Sequence, residues 1–294
     1  MTTAVGRVLL LIKSRGVSGV ADAIGRRVFG TRMSSFAAAR PLIAGKAGLE
    51  IGGPSSVFAP YSLFPAYAIA GSLDNCTFSH ATVWAKAIAE DETFVYRPGR
   101  APGRQFFLEG TSLETMADAR YDFVLSSHTI EHCANPLLAI TEWIRVIKVA
   151  GAIVLVAPHK EGTFDHRRPV TTFEHLVEDY RNGTGEDDLT HLPEILACHD
   201  LSMDPLAGGA AAFRVRSERN LESRCLHHHV FDTRLVVQML DWAALQILEV
   251  EPVKPYHIVA VAQKRAASPS PQNDAFTSNT AAHRRTSPFR LDRA

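Results

Sequence analysis

The chain has 294 residues, 46% of them hydrophobic and 21% charged, and its formal net charge is zero. That is a globular composition, and it argues against a general binder of polyanions, so no nucleic-acid partner is expected. The four cysteines, Cys76, Cys133, Cys198 and Cys225, form no CxxC pair. This favours buried thiols in a reducing cytoplasm over a disulfide framework or a zinc ribbon.

Residues 1–45 are expected to be a helical extension, broken near Gly16, Gly25 and Gly30 and ending before Pro41. The short run Val8–Ile12 is followed by Lys13 and Arg15 and lacks a small-residue cleavage site, so it is not read as a signal peptide. No run approaches the roughly 20 apolar residues of a membrane span. Arg7, Lys13, Arg15, Arg26 and Arg27 interleave with apolar residues. Two readings stand for this segment: a helix packed on the flank of the domain, or weak peripheral contact with a membrane surface through residues 1–30.

The main domain is expected over residues 46–264. Gly48–Ile51 reads as a buried strand that runs into Gly52, Gly53, Pro54, Ser55 and Ser56, a turn in which backbone can approach a ligand closely. Tyr67–Leu73 reads as a second strand ending at Asp74, Ala81–Ala89 as a helix, and Gln105–Leu108 as a third strand ending at Glu109. Tyr121–Leu125 is a fourth strand, followed by Ser126, Ser127 and His128. Asn135 is a helix N-cap with Pro136 at the first helical position, and Leu137, Ile140, Ile144 and Ile147 then recur at helical spacing. Ala152–Ala157 is apolar without interruption, as a central parallel strand covered on both faces requires. A helix over Asp232–Trp242 and two strands, Leu245–Glu251 and His257–Gln263, complete the fold as an antiparallel edge pair. Residues 265–294 are poor in large apolar residues and are expected to be a disordered tail. The alternation of strand and helix predicts an α/β, doubly wound, mostly parallel sheet.

In such a sheet, ligands bind beyond the carboxyl ends of the strands. Those ends carry Gly52 to Ser55, Asp74 with Asn75, Glu109 with Gly110, and Ser126 to His128. Asp74 stands at about the 20-residue spacing of a ribose-hydroxyl acceptor. The G-x-G-x-x-G turn that receives a pyrophosphate is absent, and so is a Walker lysine. A cationic, phosphate-free nucleoside such as S-adenosylmethionine fits better.

LEIGGPS, LEG, YDFVLSSHTIEHCANP and EWIRVIKVAG occur in this order, and together they resemble the successive motifs of class I S-adenosylmethionine-dependent methyltransferases. The resemblance spans about residues 46–264 and is nearest to a bacterial subgroup with phrases similar to HKEGTFDHRRP, GEDDLTH and RCLHHHVFD. It implies a seven-stranded Rossmann-like sheet with an antiparallel edge strand. It also implies that Glu50, Gly52, Gly53 and Ser55 face the methionine portion of the cofactor. Asp74 would hold the ribose, with Asn75 beside it among the cofactor-binding residues, Glu109 and Gly110 would border the adenine, and Ser126, Ser127 and His128 would lie beside the methyl. The family's E-x-G-x-G-x-G loop is interrupted here by Pro54 and Ser56.

Residues 159–231 form a long insertion, read as a substrate lid, that holds eight of the 13 histidines. A hydroxyl acceptor needs its proton removed as methyl transfer proceeds, and histidine suits that base role. The candidate bases are His128, His159 and His166, the last beside Asp165. A small-molecule or saccharide acceptor is the expected partner. A divalent metal held by Asp188, His191 and the run His227–His229 stays open, although the spacing matches no closed zinc motif. Two other functions remain open on these residues: a metal-dependent hydrolase built on the His/Asp-rich insertion, and a non-catalytic nucleoside-binding module.

Overall fold

Ala152–Ala157 lies at the centre of the sheet because both of its faces are apolar. In the computed structural model, which describes residues 33–80, 93–266 and 268–294, it belongs to β6 (Ile147–Pro158). Its side chains alternate between two cores, as the period of a strand dictates. Ile153, Leu155 and Ala157 enter one core, and Val154 and Val156 the other.

Eight strands form one sheet in the order β3-β4-β2-β1-β5-β6-β8-β7. They are β1 (Ala47–Ile51), β2 (Ser72–Thr77), β3 (Thr93–Phe94), β4 (Gly103–Phe107), β5 (Tyr121–Ser127), β6, β7 (Leu245–Val253) and β8 (His257–Lys264). The strands β4, β2, β1, β5 and β6 run parallel. β8 is antiparallel to both of its neighbours, and the two-residue β3 is antiparallel to β4. The sheet is thus the doubly wound, mostly parallel one expected, with β3 added as an eighth strand.

Helix α1 (Ser34–Ile43) covers one face through Phe36, Ala39 and Ile43. On the other face lie α3 (Pro136–Val146) and α7 (Thr233–Trp242). The Asn135 side chain accepts from the Leu138 N–H at 3.0 Å, and Asp232 caps α7 by accepting from the Leu235 N–H at 2.8 Å.

Several expectations need correction. The segment from Tyr67 is not a strand: a one-turn helix, α2 (Ala66–Ile69), precedes β2. Tyr67 turns inward there and packs edge-on against Phe94 and Tyr96. Helix α1 runs through Pro41 to Ile43, since its buried stripe continues past the proline. The tail is not disordered. Phe289 is fully buried, Asn273 bonds to β7 through the Ile247 N–H and the Leu245 carbonyl, and Asp292 is held by His159, Thr233 and Ser287. A few well-placed side chains fix what composition alone reads as loose. The helix read over Ala81–Ala89 and the extension up to residue 32 lie outside the described residues.

The lid holds α4 (Phe173–Asn182), α5 (Leu192–Cys198) and α6 (Ala210–Glu218).

Candidate functional site

The carboxyl edge of the sheet is set by register. Ile51 pairs with Cys76 on one side and Ser126 on the other, and Ser126 pairs with Leu155. The glycine turn therefore emerges between the ends of β2 and β5. Gly52 has φ +80°, and a Cβ there would lie 2.2 Å from Thr129 Oγ1. At Gly53 a Cβ would strike the Glu50 carboxyl at 2.3 Å. Both positions need glycine, one for conformation and space and the other for space.

Glu50 is wholly buried and anchors this turn from beneath. It accepts from the Ser55 N–H at 3.0 Å and from the Tyr67 hydroxyl at 2.5 Å. Burial pushes it up to about 7, against those hydrogen bonds, which favour the carboxylate. Asn75 braces the other side. It accepts from the Gly53 N–H at 3.1 Å and donates to the Gly53 carbonyl at 3.2 Å. Ser126 Oγ is buried at the end of β5 without a hydrogen-bond partner. An orphaned hydroxyl beside a turn stripped of side chains is what a site shaped for a ligand leaves behind.

Asp74 is not at this edge. β2 continues three residues beyond it to Thr77. Its carboxylate accepts from the Tyr121 hydroxyl at 2.8 Å, the Arg104 N–H at 2.8 Å and Arg120 at 3.1 Å. Tyr121 opens β5, so this network lies toward the opposite end of the sheet, away from the glycine turn. Because β2 runs from Ser72 to Thr77 and does not end at Leu73, Asp74 falls inside the strand. Glu109 and Gly110 do follow β4. Glu109 is paired with Arg224 of the lid, and burial raises its pKa against that pairing. Gly110 gives its carbonyl to Trp143 Nε1 at 2.9 Å. Arg224 also reaches Glu186 at 3.0 Å, so the lid is tied down over the β4 side of the edge.

His128 directly follows β5 with φ +53°. Its side chain is about a quarter exposed (26%), and Nδ1 lies 3.5 Å from Glu131 Oε1. Its Nε2 is 2.9 Å from His257 Nδ1 on β8. Burial alone would raise the Glu131 pKa, but His128, His132 and His227 hold it below the usual carboxylate range. Burial holds the neighbouring His132 down to about 4.

The other candidate bases stand elsewhere. His159 is fully buried and stacked on Phe289 at 3.9 Å. Its Nδ1 accepts from the Glu161 N–H at 3.2 Å and its Nε2 meets Asp292 at 3.2 Å, so both nitrogens are consumed internally. His166 is exposed and pairs with Asp200 at 3.0 Å, which Arg167 also contacts. Asp165 does not serve His166. It contacts His227 Nδ1 at 2.5 Å and accepts from Arg168 at 3.0 Å. Burial opposes the charge, yet His227 and Arg168 hold Asp165 at about 2. Arg168 is itself 1% exposed and donates to the His227 and His228 carbonyls at 2.7 and 3.2 Å. It is an internal strut of the lid and neither a surface charge nor an anion receptor.

Glu131, His257, Tyr67 and Arg224 escape a reading of the sequence. Glu131 had a signal, the three-residue offset from His128 in SSHTIEH. His257 had none, since only strand order brings β8 beside β6. Among the described residues, two groups place one ligand atom each within 4.8 Å of the others: Glu131 with His132 and His227, and His175 with His191 and His229. Asp188, suggested as a ligand, is in neither.

Over residues 76–155 the sequence matches the profile of a family described as a methyltransferase domain. No curated protein matches the chain. Among solved structures it is similar to a SAM-dependent methyltransferase from Aquifex aeolicus, with 14% identity over 78% of this chain and 88% of that one and a TM-score of 0.43. It is similar to another from Mesorhizobium loti, with 12% identity, coverage of 78% and 95% and a TM-score of 0.45. A third is the 1,6-didemethyltoxoflavin-N1-methyltransferase of Burkholderia thailandensis, with 12% identity, coverage of 90% and 92% and a TM-score of 0.40. The matched segment, from Cys76 in β2 to Leu155 in β6, contains the ends of β2, β4 and β5 that meet the glycine turn. Over residues 76–155, from the end of β2 into β6, the chain thus carries the segment that the methyltransferase-domain profile describes.

Proposed function

We propose that this protein methylates a hydroxyl of a small molecule or saccharide, with His128 as the general base. The carrying observation is the placement of His128: first residue past β5, partly exposed, between Glu131 and His257. Gly52, Gly53 and Ser55 would hold the methionine portion of the cofactor on a turn that Glu50 and Asn75 keep in shape. Glu109 and Gly110 would border its adenine, and Ser126 with Ser127 would lie beside the reacting centre. When bound, S-adenosylmethionine supplies a methyl group on a sulfonium, an electrophile that needs no metal to activate it.

The chain's own part is to hold the acceptor and take its proton. With Nδ1–H turned to Glu131, the Nε2 of His128 carries the lone pair, and an acceptor hydroxyl would reach it by displacing the His257 contact. That nitrogen takes the hydroxyl proton as the oxygen attacks, and Glu131 steadies the imidazolium so formed. His227, held by Asp165, and His132 flank Glu131.

Transfer of a labelled methyl group across a panel of sugars, phenols, hydroxy acids and amines tests this, with wild type and His128→Gln side by side. The expected product is an ether, and turnover should fall by about 10²–10⁴ in the variant while cofactor affinity is unchanged. Label found only on nitrogen or carbon, or a variant as fast as wild type, overturns the assignment.

A further inference from the structure

We propose that the lid contains a divalent-cation site of the zinc class, formed by His175, His191 and His229 with Asp179. It is separate from the methyl-transfer site and does not rest on the proposed acceptor. The residues come from three stretches of the insertion: His175 and Asp179 from α4, one turn apart on one face, His191 from the residue before α5, and His229 from the segment leading to α7.

His175 Nε2 and His191 Nε2 stand 2.9 Å apart. Asp179 Oδ2 is 3.4 Å from the same His175 nitrogen. Neighbouring ligands on a tetrahedral ion with bonds of about 2.0–2.1 Å lie roughly 3.3 Å apart; the Asp179–His175 spacing matches this, and the His175–His191 pair stands at hydrogen-bond distance and would open slightly around an ion. One nitrogen of each of the three histidines lies within 4.8 Å of the others.

A second observation points to a missing ligand. Asp179 and His229 are 8% and 1% exposed, and Asp179 Oδ2 and His229 Nδ1 are both buried without a hydrogen-bond partner. The other atoms of these two groups are engaged. Asp179 Oδ1 accepts from Thr184 at 2.9 Å. His229 Nε2 donates to the Ala134 carbonyl at 3.1 Å and lies 3.6 Å from Asp179 Oδ2. The Ala134 carbonyl holds the ring through Nε2–H and leaves Nδ1 as a buried lone pair without a partner, and a backbone carbonyl that fixes the ring is the usual support behind a metal-bound histidine. A proton shared by His175 and His191 satisfies that pair only. A cation held by the three imidazoles would also face Asp179 Oδ2, and three imidazoles beside one carboxylate suit zinc or its first-row neighbours.

The site would act as a clip. It joins α4, the entry to α5 and the histidine run, and through Ala134 and Asn135 it braces them on the start of α3. Asn135 already donates to the Asp179 carbonyl at 2.9 Å.

The test uses the full chain, purified without a polyhistidine tag and dialysed against zinc. Metal content by mass spectrometry should be about one per chain and should fall to under about a tenth in His175→Ala/His191→Ala. A chelator should lower the melting temperature of wild type and leave that of the double variant unchanged. His132→Ala should keep its metal. A wild type without stoichiometric zinc overturns the site, and so does zinc kept by the double variant but lost from His132→Ala, which moves the ion to the Glu131 group. If the double variant fails to fold, cobalt-loaded wild type decides: intense visible absorption of a four-coordinate ion supports the site, and its absence overturns it.

Discussion

The glycine turn and the lid meet over the same edge of the sheet, but they are held by different forces. The turn rests on apolar strands whose backbone groups pair in register, and its polar braces, Glu50 and Asn75, are local to neighbouring strands. The lid has a small apolar core around Ile195, Phe213 and Leu226 and is organised by buried polar groups: Arg168, Asp165, His227, His228 with Asn220, and Arg224. Apolar packing degrades by degrees when one side chain is cut back. A buried polar network fails more abruptly, because removing one member leaves its partners charged or unpaired. The lid should therefore be the more brittle of the two.

Arg168→Met tests that contrast most severely. It withdraws one partner from Asp165 and leaves the His227 and His228 carbonyls without their donor. The expected loss is about 3–5 kcal/mol, read from urea unfolding, with proteolytic cleavage appearing first within residues 159–231. A loss under about 1 kcal/mol with no new cleavage would show the lid held mainly by its apolar contacts.

Glu50 puts the opposite demand on the turn. Its pKa of about 7 exceeds the ordinary 4.5. A raised pKa means the folded chain holds the proton more tightly than the unfolded one. The stability it contributes is thus complete below pH 4.5 and is lost as pH rises through 7. The swing is about 3 kcal/mol. In Glu50→Gln this decline should vanish, leaving stability flat between pH 4.5 and 8 apart from other groups. Parallel curves for the two proteins would mean that Glu50 is not the group that titrates. Gly52→Ala comes next. A side chain at φ +80° pressed on Thr129 should cost about 1–3 kcal/mol of folding stability and weaken cofactor binding, with the lid's protease resistance unchanged.

These experiments divide along the same line as the legibility of the sequence. The sheet is readable because burial imposes a period: Ala152–Ala157 had to be central, and Asn135 with Pro136 had to start a helix. The lid is not readable, because which histidine meets which carboxylate depends on approach in space. Asp165 stands next to His166 in sequence and in fact holds His227, 62 residues away. His159 looks catalytic by its place after β6, yet the tail that buries it carries its partners, Phe289 and Asp292. A tail judged by composition could not reveal three or four decisive contacts. Glu131 lies between these cases, visible as an offset but without meaning until His128, His132 and His227 surround it.

Asp74 gives the smallest expected effect and the sharpest test of where the edge lies. By spacing alone it is the ribose acceptor. By register it sits opposite Leu49, three residues short of the end of β2, bound to Tyr121 and Arg120. Asp74→Asn keeps the shape and one acceptor oxygen. It should cost about 1 kcal/mol of stability through the weakened Arg120 and Tyr121 contacts and change cofactor affinity by less than about twofold in calorimetry. A tenfold loss of affinity in a folded variant would place the nucleoside against the middle of β2 and not beyond its end. The residues then to be re-examined would be Arg104 and Tyr121, which share Asp74, and not the glycine turn. Unchanged affinity leaves the ribose to groups at and beyond the end of β2, where the described residues 77–80 hold no acid, and makes the hydroxyls of Thr77 and Ser79 the next positions to replace.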